Sequence, residues 1–142
     1  MKRRIRSSRG FTLIELLVVL LILGMIAGIA GPSVMSYLGD SKAKAAKLQI
    51  EEFGNSLDLF KIDNGRYPDS QEGLQALVQA PAALGERWHG PYLKKKAVPK
   101  DPWNNDYQYV APGQHGAYDL LSFGADGREG GEGESKDVVS WE

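Results

Sequence analysis

The stretch that most restricts this chain is its apolar run. From Phe11 to Gly31 there are 21 residues with a single charge, Glu15. At about 1.5 Å of rise per helical residue, that length matches a hydrocarbon core of roughly 30 Å, so the segment is expected to cross a membrane. Ahead of it stand Lys2, Arg3, Arg4, Arg6 and Arg9, with no acid among them. Cationic flanks stay on the cytoplasmic side, which puts the body of the chain outside the cytoplasm. A secretory signal peptide has a shorter apolar region, ~7–15 residues, ending in a small-x-small cleavage site. Gly28-Ile29-Ala30-Gly31 resembles such a site only loosely.

A carboxylate within such a helix costs a few kcal/mol on insertion scales, which marks Glu15 as functional and in want of a cation. No Lys or Arg lies within a helical turn of it. A cut between Gly10 and Phe11 would create an α-amino group at the start of the helix, and a neighbouring copy could present that amine to Glu15. Buried pairs of this kind set register between subunits more than they add stability. The run Arg9-Gly10-Phe11-Thr12-Leu13-Ile14-Glu15 resembles the class III leader of type IV pilins and pseudopilins. That resemblance implies cleavage after Gly10 by a prepilin peptidase, N-methylation of Phe11, and use of Glu15 as the assembly carboxylate.

With residues 1–10 as a leader and 11–31 as the membrane and assembly helix, roughly 80 residues remain for a head with a modest core, a size that usually needs a staple. The sequence has no cysteine, so a disulfide is excluded. A metal, oligomerisation or the long helix itself is left to supply extra stability. Without the five leader cations, 12 Lys and Arg face 18 Asp and Glu, a formal charge of −6. An acidic surface gives no reason to expect nucleic-acid binding.

Pro32 should kink the helix or loosen the turn before it. Beyond it the helical pattern resumes. Ala46, Ile50, Phe53, Leu57 and Phe60 recur at alternating spacings of four and three, the mark of one apolar stripe on an amphipathic helix over residues 32–64. Asp63-Asn64-Gly65 followed by Pro68 predicts the end, with a left-handed cap. One helix from Phe11 to Asn64 is therefore expected.

Residues 65–142 form the expected head. A short helix is predicted over Glu72–Gln79 with Leu74, Leu77 and Val78 inward, followed by a loop anchored by Trp88, Tyr92 and Leu93. Lys94-Lys95-Lys96 reads as a solvated turn. Asp101-Pro102-Trp103-Asn104-Asn105-Asp106 reads as another turn, with Trp103 plugging the core. Strand signals come last, with Tyr107–Val110 and Ala117–Phe123 as a hairpin and Val138–Trp141 as a third strand. The economical fold is α+β: a three-stranded antiparallel sheet laid on the amphipathic half of the helix.

No catalytic constellation emerges, and an enzyme is not expected. His89 and His115 stand on loops with no nucleophile motif beside them. The glycines from Gly124 to Gly133 resemble a phosphate cradle, but Asp126, Glu129, Glu132 and Glu134 would repel a phosphate. Acids and glycines suit a hard cation instead. Calcium takes about six to eight oxygens from carboxylates and carbonyls, although the spacing here is not that of an EF-hand. A merely solvated acidic loop is the other reading.

Asp63-Asn64-Gly65-Arg66-Tyr67-Pro68, Gln71-Glu72-Gly73-Leu74-Gln75-Ala76-Leu77-Val78, Asp101-Pro102-Trp103-Asn104-Asn105 and Tyr118-Asp119-Leu120-Leu121-Ser122-Phe123-Gly124-Ala125-Asp126-Gly127 resemble, in order, the signature blocks of the major pseudopilins of type II secretion systems. The resemblance implies a type IV pilin-like fold with one calcium in the loop between the last strands. The implied ligands are the Asp126 and Asp137 side chains, with carbonyl or hydroxyl oxygens of Leu121, Ser122 and Val139. Some relatives end the loop in two adjacent aspartates where this chain has Lys136-Asp137, so Glu134 stays open as the second acid.

The resemblance further implies a single-pass inner-membrane protein with a periplasmic head, polymerising with its own copies into a pseudopilus that helps drive folded proteins across the outer membrane. Its partners would be the prepilin peptidase, minor pseudopilins and an inner-membrane assembly platform. Two rivals are a type IV pilin used for adhesion or motility and a single-pass anchored periplasmic binding module. The absent C-terminal cysteine pair and the acidic glycine loop count against the first, and Glu15, useless to a tether, against the second.

Overall fold

The computed structural model describes residues 10–142, so the leader cations Lys2, Arg3, Arg4, Arg6 and Arg9 lie outside the described residues. Helix α1 spans Leu13–Asn64 and includes Pro32. It begins two residues later than the apolar run does, because Thr12 and Glu15 close a capping box at its start. By contacts the chain falls into two units, residues 1–37 and 38–142.

In the described part of the first unit the apolar side chains are exposed, from Phe11 and Leu13 through Leu20, Leu21 and Met25 to Ile29 and Met35. An apolar surface of this extent has no business in water and marks a membrane or protein contact. Among the described residues α1 is the one helix long and apolar enough to cross a membrane.

The second unit has its own core. Ala46, Ile50, Phe53, Leu57 and Phe60, the stripe expected from spacing, are each 3% exposed or less. Burying a side chain of the Phe, Leu or Ile class is worth about 1.5–3 kcal/mol, so the stripe fixes which face of α1 turns inward. Against it pack Leu74, Ala76, Leu77, Leu84, Leu93, Tyr107 and Leu120. Phe53 meets Tyr107 edge-on at 5.2 Å, and Phe60 meets Tyr92 at 5.4 Å. Gly65, at φ 76°, ends α1, with its N–H donating to the Lys61 carbonyl at 2.7 Å. Here the left-handed conformation that the Asn-Gly pair predicts is the one found.

The sheet has the order β1-β2-β3, with strands β1 Gln108–Val110, β2 Asp119–Ser122 and β3 Val138–Val139. Both pairings are antiparallel: Tyr109 faces Leu120 across the first, and Leu121 faces Val139 across the second. β2 is the central strand. Its Leu120 and Ser122, two residues apart and so on one face, are completely buried.

Four expectations need correction. The third strand, expected over Val138–Trp141, ends at Val139, where the Leu120 N–H turns to the Ser140 hydroxyl instead of a backbone carbonyl. The segment predicted as a helix over Glu72–Gln79 is a five-residue 3-10 turn, Gly73–Leu77, because Gly73 enters it at φ 56° and leaves too few residues for a helix. The second strand starts at Asp119 and not Ala117, since the Asp119 carboxylate captures the amides of Gln114 and His115 and curls the preceding loop. Trp103 is half-buried and stands outside the core cluster, its indole N–H meeting no acceptor among the described residues. Leu93 is in the core, with Trp88 and Tyr92 packed against it, as expected of loop anchors.

Candidate functional site

Two places carry the residues singled out above. At the start of α1, Glu15 Oε2 accepts hydrogen bonds from the Thr12 N–H at 2.8 Å and the Thr12 hydroxyl at 2.9 Å, and the Glu15 N–H donates to Thr12 Oγ1 at 3.3 Å. This is a reciprocal capping box that satisfies donors otherwise orphaned at a helix N-terminus. The sequence signal, Thr-x-x-Glu, lies in plain view, yet the missing cation draws attention away from it. Gly10 and Phe11 precede the box on exposed, non-helical backbone.

The second place is the loop from β2 to β3. It leaves β2 through the 3-10 turn Gly124–Asp126 and returns through the 3-10 turn Gly133–Ser135, and the two turns lie against each other. Gly124 has room only for a hydrogen: a Cβ there would sit 2.7 Å from the Glu134 carbonyl oxygen. Asp126 is exposed, and its Oδ1 accepts from the Arg128 N–H at 3.1 Å. Asp137, just before β3, accepts from the Gly130 N–H at 2.9 Å through Oδ2. Its other oxygen, Oδ1, is buried and meets no donor among the described residues. A buried, unmet carboxylate oxygen is costly unless a cation or donor meets it.

Pairing across β2 and β3 sets Leu121 opposite Val139 and Ser122 opposite Val138. The Ser122 hydroxyl is already committed, donating to Asp101 Oδ2 at 2.5 Å and accepting from the Gly124 N–H at 3.1 Å. The Val139 carbonyl accepts from Lys47 Nζ at 2.9 Å. Glu134 points elsewhere, its side chain lying on α1 where a Cβ at Gly39 would come within 2.5 Å of it. Among the described residues no three His, Cys, Asp or Glu side chains gather to hold a metal.

Asp101 underpins this loop, and sequence reasoning gave it no role. It is 4% exposed, and its Oδ1 accepts from the Trp103 N–H at 3.0 Å and the Asn105 N–H at 2.8 Å. The Asn105 side chain in turn donates to the Gly124 carbonyl at 2.9 Å. The first residue of the loop is thus gripped at both its amide and its carbonyl.

Residues 33–141 match the family model described as Type II secretion system (T2SS), protein G, and residues 5–31 match the Prokaryotic N-terminal methylation motif. The chain belongs to the type II secretion system protein G family. Type II secretion system core protein G of Pseudomonas aeruginosa is 46% identical over 140 residues, spanning 96% of this chain and 97% of that protein. The core protein G of Vibrio cholerae is 41% identical over 141 residues, spanning 98% and 95%. Among solved structures, the major pseudopilin from the type 2 secretion system of enterohaemorrhagic Escherichia coli is similar with a TM-score of 0.64 and 32% identity, over 78% of this chain and 95% of that one. The fold is that of a pilin-like pseudopilin, and the matches favour neither a type IV pilin nor an anchored binding module.

Proposed function

We propose that this family member is the major subunit of a pseudopilus, inserted once in the inner membrane, with residues 38–142 in the periplasm. It is cut between Gly10 and Phe11 by a prepilin peptidase, methylated at Phe11, and polymerised with its own copies, minor pseudopilins and an assembly platform to help drive folded proteins across the outer membrane. The observation that carries this reading is the exposed apolar first part of α1 with a single carboxylate capped at its tip. The test is the mass of the N-terminus in protein drawn from membranes of a secreting cell. Methyl-Phe11 is expected, whereas an uncut chain that still supports secretion would overturn it.

We also propose that the β2–β3 loop binds calcium. The carboxylates of Asp126 and Asp137, with carbonyl or hydroxyl oxygens of Leu121, Ser122 and Val139, would hold the ion. The unmet Asp137 Oδ1 supports this choice, and the engagement of Glu134 with α1 favours Asp137 over it. When bound, the ion supplies a charge that oxygens from several parts of the loop share. The loop needs such help, because ordering each residue costs about 1–2 kcal/mol and its glycines and acids bury little to offset that. At a calcium concentration 100 times Kd the gain is about 2.7 kcal/mol. Thermal melts of the full chain in detergent should show a higher midpoint in calcium than in chelator, a response lost in Asp126→Ala. Equal midpoints for the unaltered protein would leave the loop as solvated surface.

A further inference from the structure

β3 contributes only two residues to the ladder, Val138 and Val139, too few to keep a strand in place by backbone pairing alone. Side chains do the rest. Ser140 pairs with Leu120 twice, its N–H donating to the Leu120 carbonyl at 2.9 Å and its hydroxyl accepting from the Leu120 N–H at 3.1 Å. The Trp141 ring stacks on His115 at 4.0 Å, nearly parallel at 5°. Lys47, half-buried on α1, donates from Nζ to the Val139 carbonyl and also to the main-chain oxygen of Glu142. The ammonium of Lys47 is thereby directed at main-chain oxygens of residues 139 and 142.

We propose that Lys47 is a fixed tether that keeps β3 and residues 140–142 seated on α1 whether or not the neighbouring loop holds a cation. The loop of residues 124–137 can then order and disorder between two anchored ends. One end is the Asp101–Ser122–Gly124 grip, and the other is the tethered strand. This rests on the calcium reading for what orders the loop, but not for what holds the strand. The two meet at the Val139 carbonyl, which has two lone pairs, but an ammonium and a cation on one oxygen repel each other, so the tether has to hold against that repulsion when the loop is filled. The ammonium is covalently part of α1 and does not leave when the loop empties. A hydrogen bond to a charged donor is worth more than one between neutral groups, so the tether is strong for its size.

Amide hydrogen exchange of the full chain in detergent micelles tests this, in calcium and in chelator. In the unaltered protein, chelator should speed exchange across 124–137 and leave 138–142 protected. Lys47→Met should speed exchange in 138–142 by about tenfold or more, the scale of losing one such bond. Its loop should keep its response to chelator, and Lys47→Arg should restore protection. Protection of the α1 amides around Leu57 checks that each variant is folded. The proposal fails if chelator frees 138–142 together with the loop, or if Lys47→Met leaves those residues protected. A loop indifferent to chelator would instead sink the calcium reading, and the Lys47→Met comparison would still decide the tether.

Discussion

Asp101 offers the sharpest test of how the head is held together. Asp101→Ala removes one acceptor group and strands three donors: the amides of Trp103 and Asn105 and the hydroxyl of Ser122. Ser122 is completely buried, so its hydroxyl has no water to turn to, and losing a bond to a charged acceptor there costs about 1.5–3 kcal/mol. The two amides lie in a turn that water can partly reach, and each adds about 0.5–1 kcal/mol. The expected loss is therefore about 2.5–5 kcal/mol, a large share of what a domain of this size has. Asp101→Asn keeps Oδ1 for both amides and disturbs only the Ser122 bond, so about 1–2 kcal/mol is expected. Urea unfolding followed by tryptophan fluorescence reads this directly, because Trp88, Trp103 and Trp141 all lie in the 38–142 unit. On the calcium proposal, the Ala variant should also hold the ion more weakly, since Gly124 loses its hold at the loop entrance. The reasoning is refuted if Asp101→Ala lies within about 1 kcal/mol of the parent, or costs no more than Asp101→Asn.

Three further outcomes are expected. Gly10→Val should leave the chain uncut and unassembled, as seen by mass spectrometry of the membrane fraction, because a peptidase must approach that backbone closely beside Phe11; normal maturation would dismiss the assigned site. Glu15→Ala removes a charge from the membrane helix and so should insert at least as well, yet reduce crosslinking between copies and secretion; wild-type levels of both would exclude a role between subunits. The Arg66 guanidinium grips Glu72 through two bonds of 2.6 and 2.7 Å and, against the opposing effect of burial, holds its carboxyl below the usual range. A depressed native pKa contributes stability that is present above the usual carboxylate range and lost as pH falls through the native value. Arg66→Gln should accordingly flatten the acid side of the stability profile, and an unchanged slope below about pH 5 would refute the assignment.

The parts of the fold that were legible in the sequence are those a local period encodes. A four-three alternation can point only one face inward, and all five stripe residues are buried. The Asn-Gly end of α1 and the hairpin were legible for the same reason, since turn chemistry and strand alternation act over a few residues. Trp103 was misplaced because size and apolarity argue for burial but say nothing of which turn carries the ring. Lys47 and Val139 are 92 residues apart, and no spacing rule joins them. The stack of His115 on Trp141 is equally invisible, so a loop histidine without a motif looked idle. The capping boxes are a different matter. Thr12-x-x-Glu15 and Asp69-x-x-Glu72 are both legible patterns, the second closed by the Asp69 N–H to Glu72 at 3.0 Å and the Glu72 N–H to Asp69 at 2.8 Å.

In a head with a small core and no disulfide, buried or half-buried carboxylates act as hubs in the place of staples. Asp101 gathers two turn amides and a hydroxyl, while Glu72 gathers a guanidinium and an amide. Asp119 gathers the amides of Gln114 and His115, with the His115 ring 3.0 Å away. Burial opposes ionisation of Asp119, but those donors outweigh it and hold the carboxyl below its ordinary value. Each hub ties residues that no strand ladder reaches, and loss of one leaves several donors unmet together, so the failure is cooperative. The sheet is short for the same reason. With loops positioned by hubs at Asp101 and Asp119, and the two rungs of β3 backed by Ser140 on Leu120 and Lys47 on Val139, the segment between β2 and β3 is released from any duty to the core. It is free to carry exposed acids and glycines, the composition on which the calcium proposal rests, because the residues on either side of it are held by something else.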